Sequence, residues 1–141
     1  MSSLYYKKLE KDLPSLAFAK PGDAGLDLAV KHETFLMPDE KRMIGTGIAV
    51  RIPDGHFGMI VPRSSCGKLG IMLANTVGII DSQYTGELIL YLRNISGMHI
   101  KLAPQQRIAQ LIIVPYVHPA IIEVEELEET ERGSGGFGHT G

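Results

Sequence analysis

Only one cysteine, Cys66, occurs among 141 residues. One thiol permits neither an intrachain disulfide nor a cysteine-built metal cluster. Basic clusters are as scarce: none exceeds two residues, and the formal net charge is −2. A duplex-binding protein needs a positive footprint, so no nucleic-acid partner is expected. Long apolar runs are also missing. The longest, Leu111 to Ile122, is interrupted by Pro115, His118 and Pro119. It is too short to cross a bilayer, so no membrane partner is expected. The first residues, Met1 to Glu10, hold no apolar signal core, which fits a cytoplasmic protein, or a viral one working in the host cytoplasm. The histidines at 32, 56, 99, 118 and 139 form no closely spaced pair and read as surface or strand residues. Neither a Walker A loop nor a G-x-S-x-G elbow is found. Helix signals are few. Lys7 to Leu13 has room for one turn, which Pro14 would stop.

An apolar share of 44% with 21% charged residues suits one domain with a real core. Short runs rich in β-branched residues recur: Leu26–Val30, Glu33–Met37, Met43–Ile52, His56–Val61, His99–Leu102, Arg107–Val114 and Ala120–Val124. Pro21-Gly22, Pro38-Asp39-Glu40, Pro53-Asp54-Gly55 and Ile95-Ser96-Gly97 punctuate them as turns. The pattern predicts an all-β sandwich, barrel or jelly roll. The end differs. Six glutamates fall between Glu123 and Glu131, followed by the glycine-rich run from Arg132. Such a segment cannot bury itself, so residues 132–141 are expected to form a mobile arm beside a folded domain over 1–131.

The chain is organised around Asn75 to Glu87. This stretch leaves the apolar run Ile71, Met72, Leu73, Val77, Ile79, Ile80 and stops at Asp81, with Tyr84 three residues on. Gly86 then turns the chain into Glu87–Leu92. The arrangement predicts a β-hairpin. A carboxylate at the end of a buried strand is costly unless hydrated, paired or bound, and the nearby aromatic offers a flat apolar face. Together they suggest a pocket that holds a ring and places a base beside it.

Other stretches carry further chemistry. Gly133-Ser134-Gly135-Gly136-Phe137-Gly138 matches G-x-G-x-x-G. That motif signals a dinucleotide only between a strand and a helix, and only three residues follow here. Taken alone the run reads first as a disordered end; against that, its bare amides, Arg132, Ser134 and Phe137 suit a phosphate-cradling loop with a stacking ring, able to close over a nucleotide. In Pro62-Arg63-Ser64-Ser65 a guanidinium and hydroxyls at a strand end suit phosphate oxygens. The alternative is a plain polar turn. Cys66 beside Lys68 is a nucleophile candidate on its face, but no histidine lies near it in sequence and small buried thiols are common. In Ala24-Gly25-Leu26-Asp27-Leu28 the acid is either a ligand of metal-bound water or a structural acceptor. Arg107 and Gln110, at i and i+3 on a strand, are expected on opposite faces, so one serves a site and the other does not.

Taken in order, five stretches resemble the trimeric deoxyuridine triphosphate nucleotidohydrolases (dUTP pyrophosphatases). They are Ala24–Leu28, Pro62–Ser64, Gly78–Glu87, Arg107–Gln110 and Arg132–Gly138. The resemblance implies a distorted β jelly roll and a homotrimer whose C-terminal arm is exchanged between subunits. It further implies Mg²⁺-dependent hydrolysis of dUTP to dUMP and pyrophosphate. Asp81 would activate water for attack on the α-phosphorus. Tyr84 would pack under the deoxyribose. Asn75, Gly78 and Ile80 would read the uracil from the hairpin backbone. Arg63, Ser64, Ser65 and Gln110 would support or contact phosphates or metal-bound water, and Asp27 would meet Mg²⁺ through water. Arg132, Ser134 and Gly135 would hold the outer phosphates, and Phe137 would stack on the base.

Two rival readings remain beside it. A related dCTP deaminase needs a glutamate near Tyr91, and Leu88–Leu92 holds no acid. A regulatory protein acting through a partner on the same trimer is the other. Such proteins often carry an inserted segment, and none lies between these motifs.

Overall fold

The computed structural model describes residues 2–138. His139 and the rest of the expected arm, 139–141, lie outside them. Ten strands and one short helix follow in order: β1 (Tyr5–Lys8), β2 (Leu26–Ala29), β3 (Thr34–Leu36), β4 (Lys41–Arg51), β5 (His56–Pro62), α1 (Cys66–Leu69), β6 (Ile71–Leu73), β7 (Gly78–Ile80), β8 (Glu87–Asn94), β9 (Ile100–Leu102) and β10 (Arg107–Pro115). Among the described residues they form two four-stranded sheets, β1-β4-β8-β6 and β2-β10-β5-β7, and a small β3-β9 sheet. Every pairing is antiparallel. The fold is all-β, as the turn spacing predicts, and jelly-roll-like, as the resemblance implies.

Period-2 alternation builds the core. Along β8, Leu88, Leu90, Leu92 and Asn94 are buried while Glu87, Ile89, Tyr91 and Arg93 are less covered. They meet Leu28, Ile108 and Leu111 of the facing sheet, with Leu36, Ile52 and Leu102 closing the same cluster. Fully burying one such side chain is worth about 1.5–3 kcal/mol. Asn94 is buried with this core, as are Thr34 and Thr46, and its amide is fully used. It donates to the main-chain oxygens of Leu36, Met37 and Met98 and accepts from the Ser96 amide and hydroxyl. It thereby ties β3, β8 and the turn before β9 together, at little cost for a buried amide.

Four expectations are corrected. Asp81 does not begin a hydrogen-bonded hairpin: β7 pairs with β5, whereas β8 pairs with β4 and β6. The six-residue link Asp81–Gly86 is long enough to step from one sheet to the other. Lys7–Leu13 is not helical, because Tyr5–Lys8 adds to the edge of β4. Ala120–Val124 forms no strand and lies exposed. Lastly, the β2–β10 register slips between Arg107 and Ala109. That bulge takes up one residue, so Arg107 and Gln110 share a face after all.

Candidate active site

The crossing between sheets opens a small cavity. The turn after β6 is tight: the Thr76 amide donates to the Leu73 carbonyl (3.0 Å) and the Val77 amide to the Asn75 carbonyl (2.7 Å). Thr76 adopts φ +67° there, a conformation that costs energy for a β-branched residue. Behind it lies a cavity of about 120 Å³ lined by Ile60, Leu73, Asn75, Gly78, Ile80 and Tyr91, with Ile79, Ile89 and Leu90. An enclosed apolar cavity of about 150 Å³ admits a benzene ring; this one is of the same order, though smaller, partly open and more polar in its lining. Gly78 has Ile60 packed against it: a Cβ would sit 3.1 Å from the Ile60 Cβ. No acidic side chain lines this cavity.

Asp81 stands exposed at the rim of an adjoining cavity of about 240 Å³, shared with Ile79, Ile80, Tyr84, Glu87 and Ile89. Its main-chain oxygen accepts from the Tyr84 amide at 3.0 Å, closing the turn. The Tyr84 hydroxyl donates to the Glu87 carbonyl at 2.7 Å. This needs a glycine at 86, where a Cβ would lie 2.7 Å from the Tyr84 hydroxyl oxygen. The Arg51 guanidinium holds the other shoulder, donating to the Ser82 carbonyl at 2.9 Å while pairing with Asp54 at 2.9 Å.

A second group sits at the far end of β5. Asp27 forms ion pairs with Arg63 (Nε to Oδ1, 3.2 Å) and Arg107 (Nη1 to Oδ2, 3.4 Å). Gln110 faces Asp27 in register and donates to the Pro62 carbonyl at 3.3 Å. Gly25 makes room: a Cβ there would be 2.2 Å from Gln110 Oε1. Ser64 and Ser65 are exposed in the turn before α1, and Ser65 makes no capping hydrogen bond. Cys66 is no nucleophile candidate. It is buried, donates to the Ile108 carbonyl at 2.8 Å, and burial pushes its thiol pKa up.

The third group is the arm. Arg132 Nε donates to the Gly135 carbonyl at 2.6 Å, and the Gly133 amide to the Thr130 hydroxyl at 3.1 Å. Ser134 is exposed, and Phe137 is fully exposed at 112%.

One chain does not bring these groups together. Ile80 pairs with Gly58, and Pro62 with Ala109. Asp81 and Arg63 therefore lie near opposite ends of β5, roughly 20 Å apart at about 3.3 Å per residue. The cavities that Asp81 lines contain none of Arg63, Ser64 or Gln110. Sequence reading missed Arg51, which braces the Asp81 turn through Ser82. Its signal was weak, since an isolated basic residue at a strand end looks like any solvated one.

Among the described residues no three His, Cys, Asp or Glu side chains gather to hold a metal ion, and both Asp27 oxygens face guanidinium groups. The donor set thus excludes an all-protein cage. Mg²⁺ usually keeps several waters and is held by one or two carboxylates together with substrate phosphates.

Comparison with known proteins agrees with this geometry. The dUTPase family model matches residues 11–141. The deoxyuridine 5'-triphosphate nucleotidohydrolase of Thermoanaerobacter sp. is 47% identical over 134 residues, covering 93% of this chain and 90% of that protein. The enzyme of the same name from Pseudomonas fluorescens is 44% identical over 138 residues, covering 95% and 91%. Among solved structures, Staphylococcus bacteriophage 80alpha dUTPase with dUPNHPP superposes with a TM-score of 0.91 at 29% identity. That match covers 100% of this chain and 99% of the phage chain. Fold and site thus define a β jelly-roll nucleotide hydrolase. The chain belongs to the dUTPase family.

Proposed function

We propose that the protein hydrolyses dUTP to dUMP and pyrophosphate, keeping uracil out of DNA and supplying dUMP for thymidylate synthesis. Asp81 is the general base. It takes a proton from a water, whose oxygen bonds to the α-phosphorus; the bond from that phosphorus to the bridging oxygen breaks and pyrophosphate leaves. The single observation carrying this is the exposed Asp81 carboxylate on a turn shared with Tyr84, beside a small cavity. Uracil fits the cavity at Asn75, Gly78 and Ile80, and the Tyr84 ring lies under the sugar.

Mg²⁺ on the triphosphate would neutralise charge, with Asp27 and Gln110 meeting it through water. Ser64 and Ser65 offer hydroxyls to the phosphates, and Arg63 stays braced on Asp27. The separation of Asp81 from Arg63 along β5 supports a homotrimer whose sites take the two groups from different subunits. The arm supports it too: Ile121, Ile122, Leu127 and Phe137 are exposed on their own subunit. Arg132, Ser134, Gly135 and Phe137 then close a neighbour's site over phosphates and base. The acid-free cavity wall at Tyr91 weighs against a deaminase, and the motifs run without an inserted segment, against the regulatory reading.

Chromatographic product analysis tests this with dUTP or dCTP, Mg²⁺, and wild type against Asp81→Asn. Release of dUMP and pyrophosphate, reduced by about 10²–10⁴ in the variant, is the expected result. A uracil nucleotide formed from dCTP would make the protein a deaminase. No turnover of either would favour the partner-binding reading.

A further inference from the structure

Glu87 occupies the first position of β8, directly after the turn that carries Asp81 and Tyr84. Its two ends make different contacts. The main-chain oxygen accepts from the Tyr84 hydroxyl at 2.7 Å. The side chain reaches the other way, into the bulge of β4. Its Oε2 accepts from the Gly47 amide at 2.8 Å and from Lys31 Nζ at 3.0 Å. The bulge is shaped for this carboxylate. Gly47 takes φ +73°, a conformation glycine adopts at no steric cost. At Gly45 a Cβ would lie 2.2 Å from Glu87 Oε2. The β4–β8 register breaks between Gly45 and Ala49, so the ladder is interrupted just where the carboxylate enters.

Lys31 comes from the segment between β2 and β3, and its own amide is tied to the Gly45 carbonyl at 3.2 Å. The ion pair is about three-quarters covered on both sides, so it is less screened than a surface pair. The pKa of Glu87 is the net of opposing effects: burial raises it, while the bonds from Lys31 and Gly47 outweigh burial and hold it below the ordinary range. One residue therefore joins the substrate turn to the rigid sheet through a charged lock, at the place where the tyrosine ring is positioned.

We propose that Glu87, locked by Lys31 and the Gly47 amide, is a positioning residue that sets the enzyme's preference for a 2'-deoxyribose. It acts through Tyr84, whose hydroxyl has its partner on Glu87. The ring excludes a 2'-hydroxyl only if it cannot retreat, and a floppy phenol accommodates one extra oxygen readily. Rejection of an added hydroxyl by shape alone is weak unless the wall is stiff. Glu87 itself touches neither phosphates nor the reacting atoms. The inference rests on the dUTP hydrolase reading above, and specifically on Tyr84 lying against the sugar.

The test measures kcat/KM for dUTP and for UTP with Glu87→Ala, Glu87→Gln, Lys31→Met and Tyr84→Ala, alongside each variant's thermal midpoint. Glu87→Ala should erode the dUTP-over-UTP ratio by about tenfold, mainly through better use of UTP. Glu87→Gln, which keeps an acceptor for Gly47, should lose less. Lys31→Met leaves Glu87 in place and should shift the ratio in the same direction, so the proposal survives if Glu87→Ala fails to fold. A purely structural role would lower the thermal midpoint and both kcat/KM values together, leaving the ratio fixed. A fixed ratio in the Glu87 and Lys31 variants, with a changed one in Tyr84→Ala, overturns the lock and spares the sugar reading. A fixed ratio in Tyr84→Ala as well overturns the sugar reading and the lock with it.

Discussion

Arg51, the last residue of β4, donates through Nη1 to the main-chain oxygen of Ser82 at 2.9 Å, across 31 positions of sequence. The same group donates to the Ile52 carbonyl, and the guanidinium pairs with Asp54. The turn bearing Asp81 is therefore pinned by a cation that belongs to another strand. Its aim depends on the sheet as much as on its own sequence.

Arg51→Ala should free that shoulder while leaving Asp81 and Tyr84 chemically intact. Misplacing a base by about an ångström costs up to roughly 10²-fold in rate. We expect kcat for dUTP to drop by about tenfold or more, with a small change in thermal midpoint because the ion pair is exposed. Steady-state kinetics beside a thermal melt decide it. An unaltered kcat would show that the turn holds its shape alone.

Truncation after Glu131 removes Arg132, Ser134 and Phe137, none of which packs on the domain of its own subunit. The shortened chain should keep its cooperative melt yet lose most turnover. If the arm stacks on uracil, Phe137→Ala should lose much of the same activity. Full activity of the truncated chain would sink the closing role of the arm.

Asn94→Leu replaces the buried amide by a side chain of similar size. The Leu36 carbonyl and the Ser96 amide then lose the partner Asn94 gives them, while the Met37 carbonyl keeps the Glu40 amide and the Met98 carbonyl keeps the Ser96 hydroxyl. Each stranded buried polar group costs about 1–3 kcal/mol, so a loss of at least that size in urea unfolding is expected. A loss below 1 kcal/mol would mean that water reaches those two stranded groups.

Acid should weaken the lock at Glu87. Its pKa in the folded protein is lowered: partial burial opposes this, and the bonds from Lys31 and Gly47 prevail, with help from His32. A depressed carboxylate contributes its full stabilisation above the unfolded value, about 4.3. It loses that contribution as pH falls through the folded value. Asp39, held down by Arg93, and Glu40, held down by the Met37 amide and Arg42, follow the same sign. The midpoint gap between wild type and Glu87→Gln should be constant above about pH 5 and shrink below about pH 4. A gap independent of pH would contradict the lock.

Several features were readable before any coordinates. The run Glu87–Leu92 after Gly86 read as a strand, while its alternating burial came from the structure. The prolines and glycines gave the turns. Asp81, Tyr84 and Gly86 were legible as a unit since their contacts are local: an amide three residues on, and a hydroxyl that needs a glycine beneath it. The exposure of residues 132–138, Gly135 apart, agrees with the glycine-rich run beside six glutamates, which cannot bury itself.

What only the tertiary structure decided are the pairings between distant segments. Whether β7 lies beside β8 or β5 depends on which sheet has a free edge, and no local pattern states that. The bulge at Arg107–Ala109 reversed the facing of Arg107, because one extra residue shifts the period-2 count. Glu87 read as one more charge after a turn; its importance came from Gly45, Gly47 and Lys31, which lie 40 to 56 positions away. Local residue chemistry fixes turns and alternation, since those depend on neighbours in the chain. Register, sheet order and the partners of a half-buried charge depend on the packing of the whole molecule.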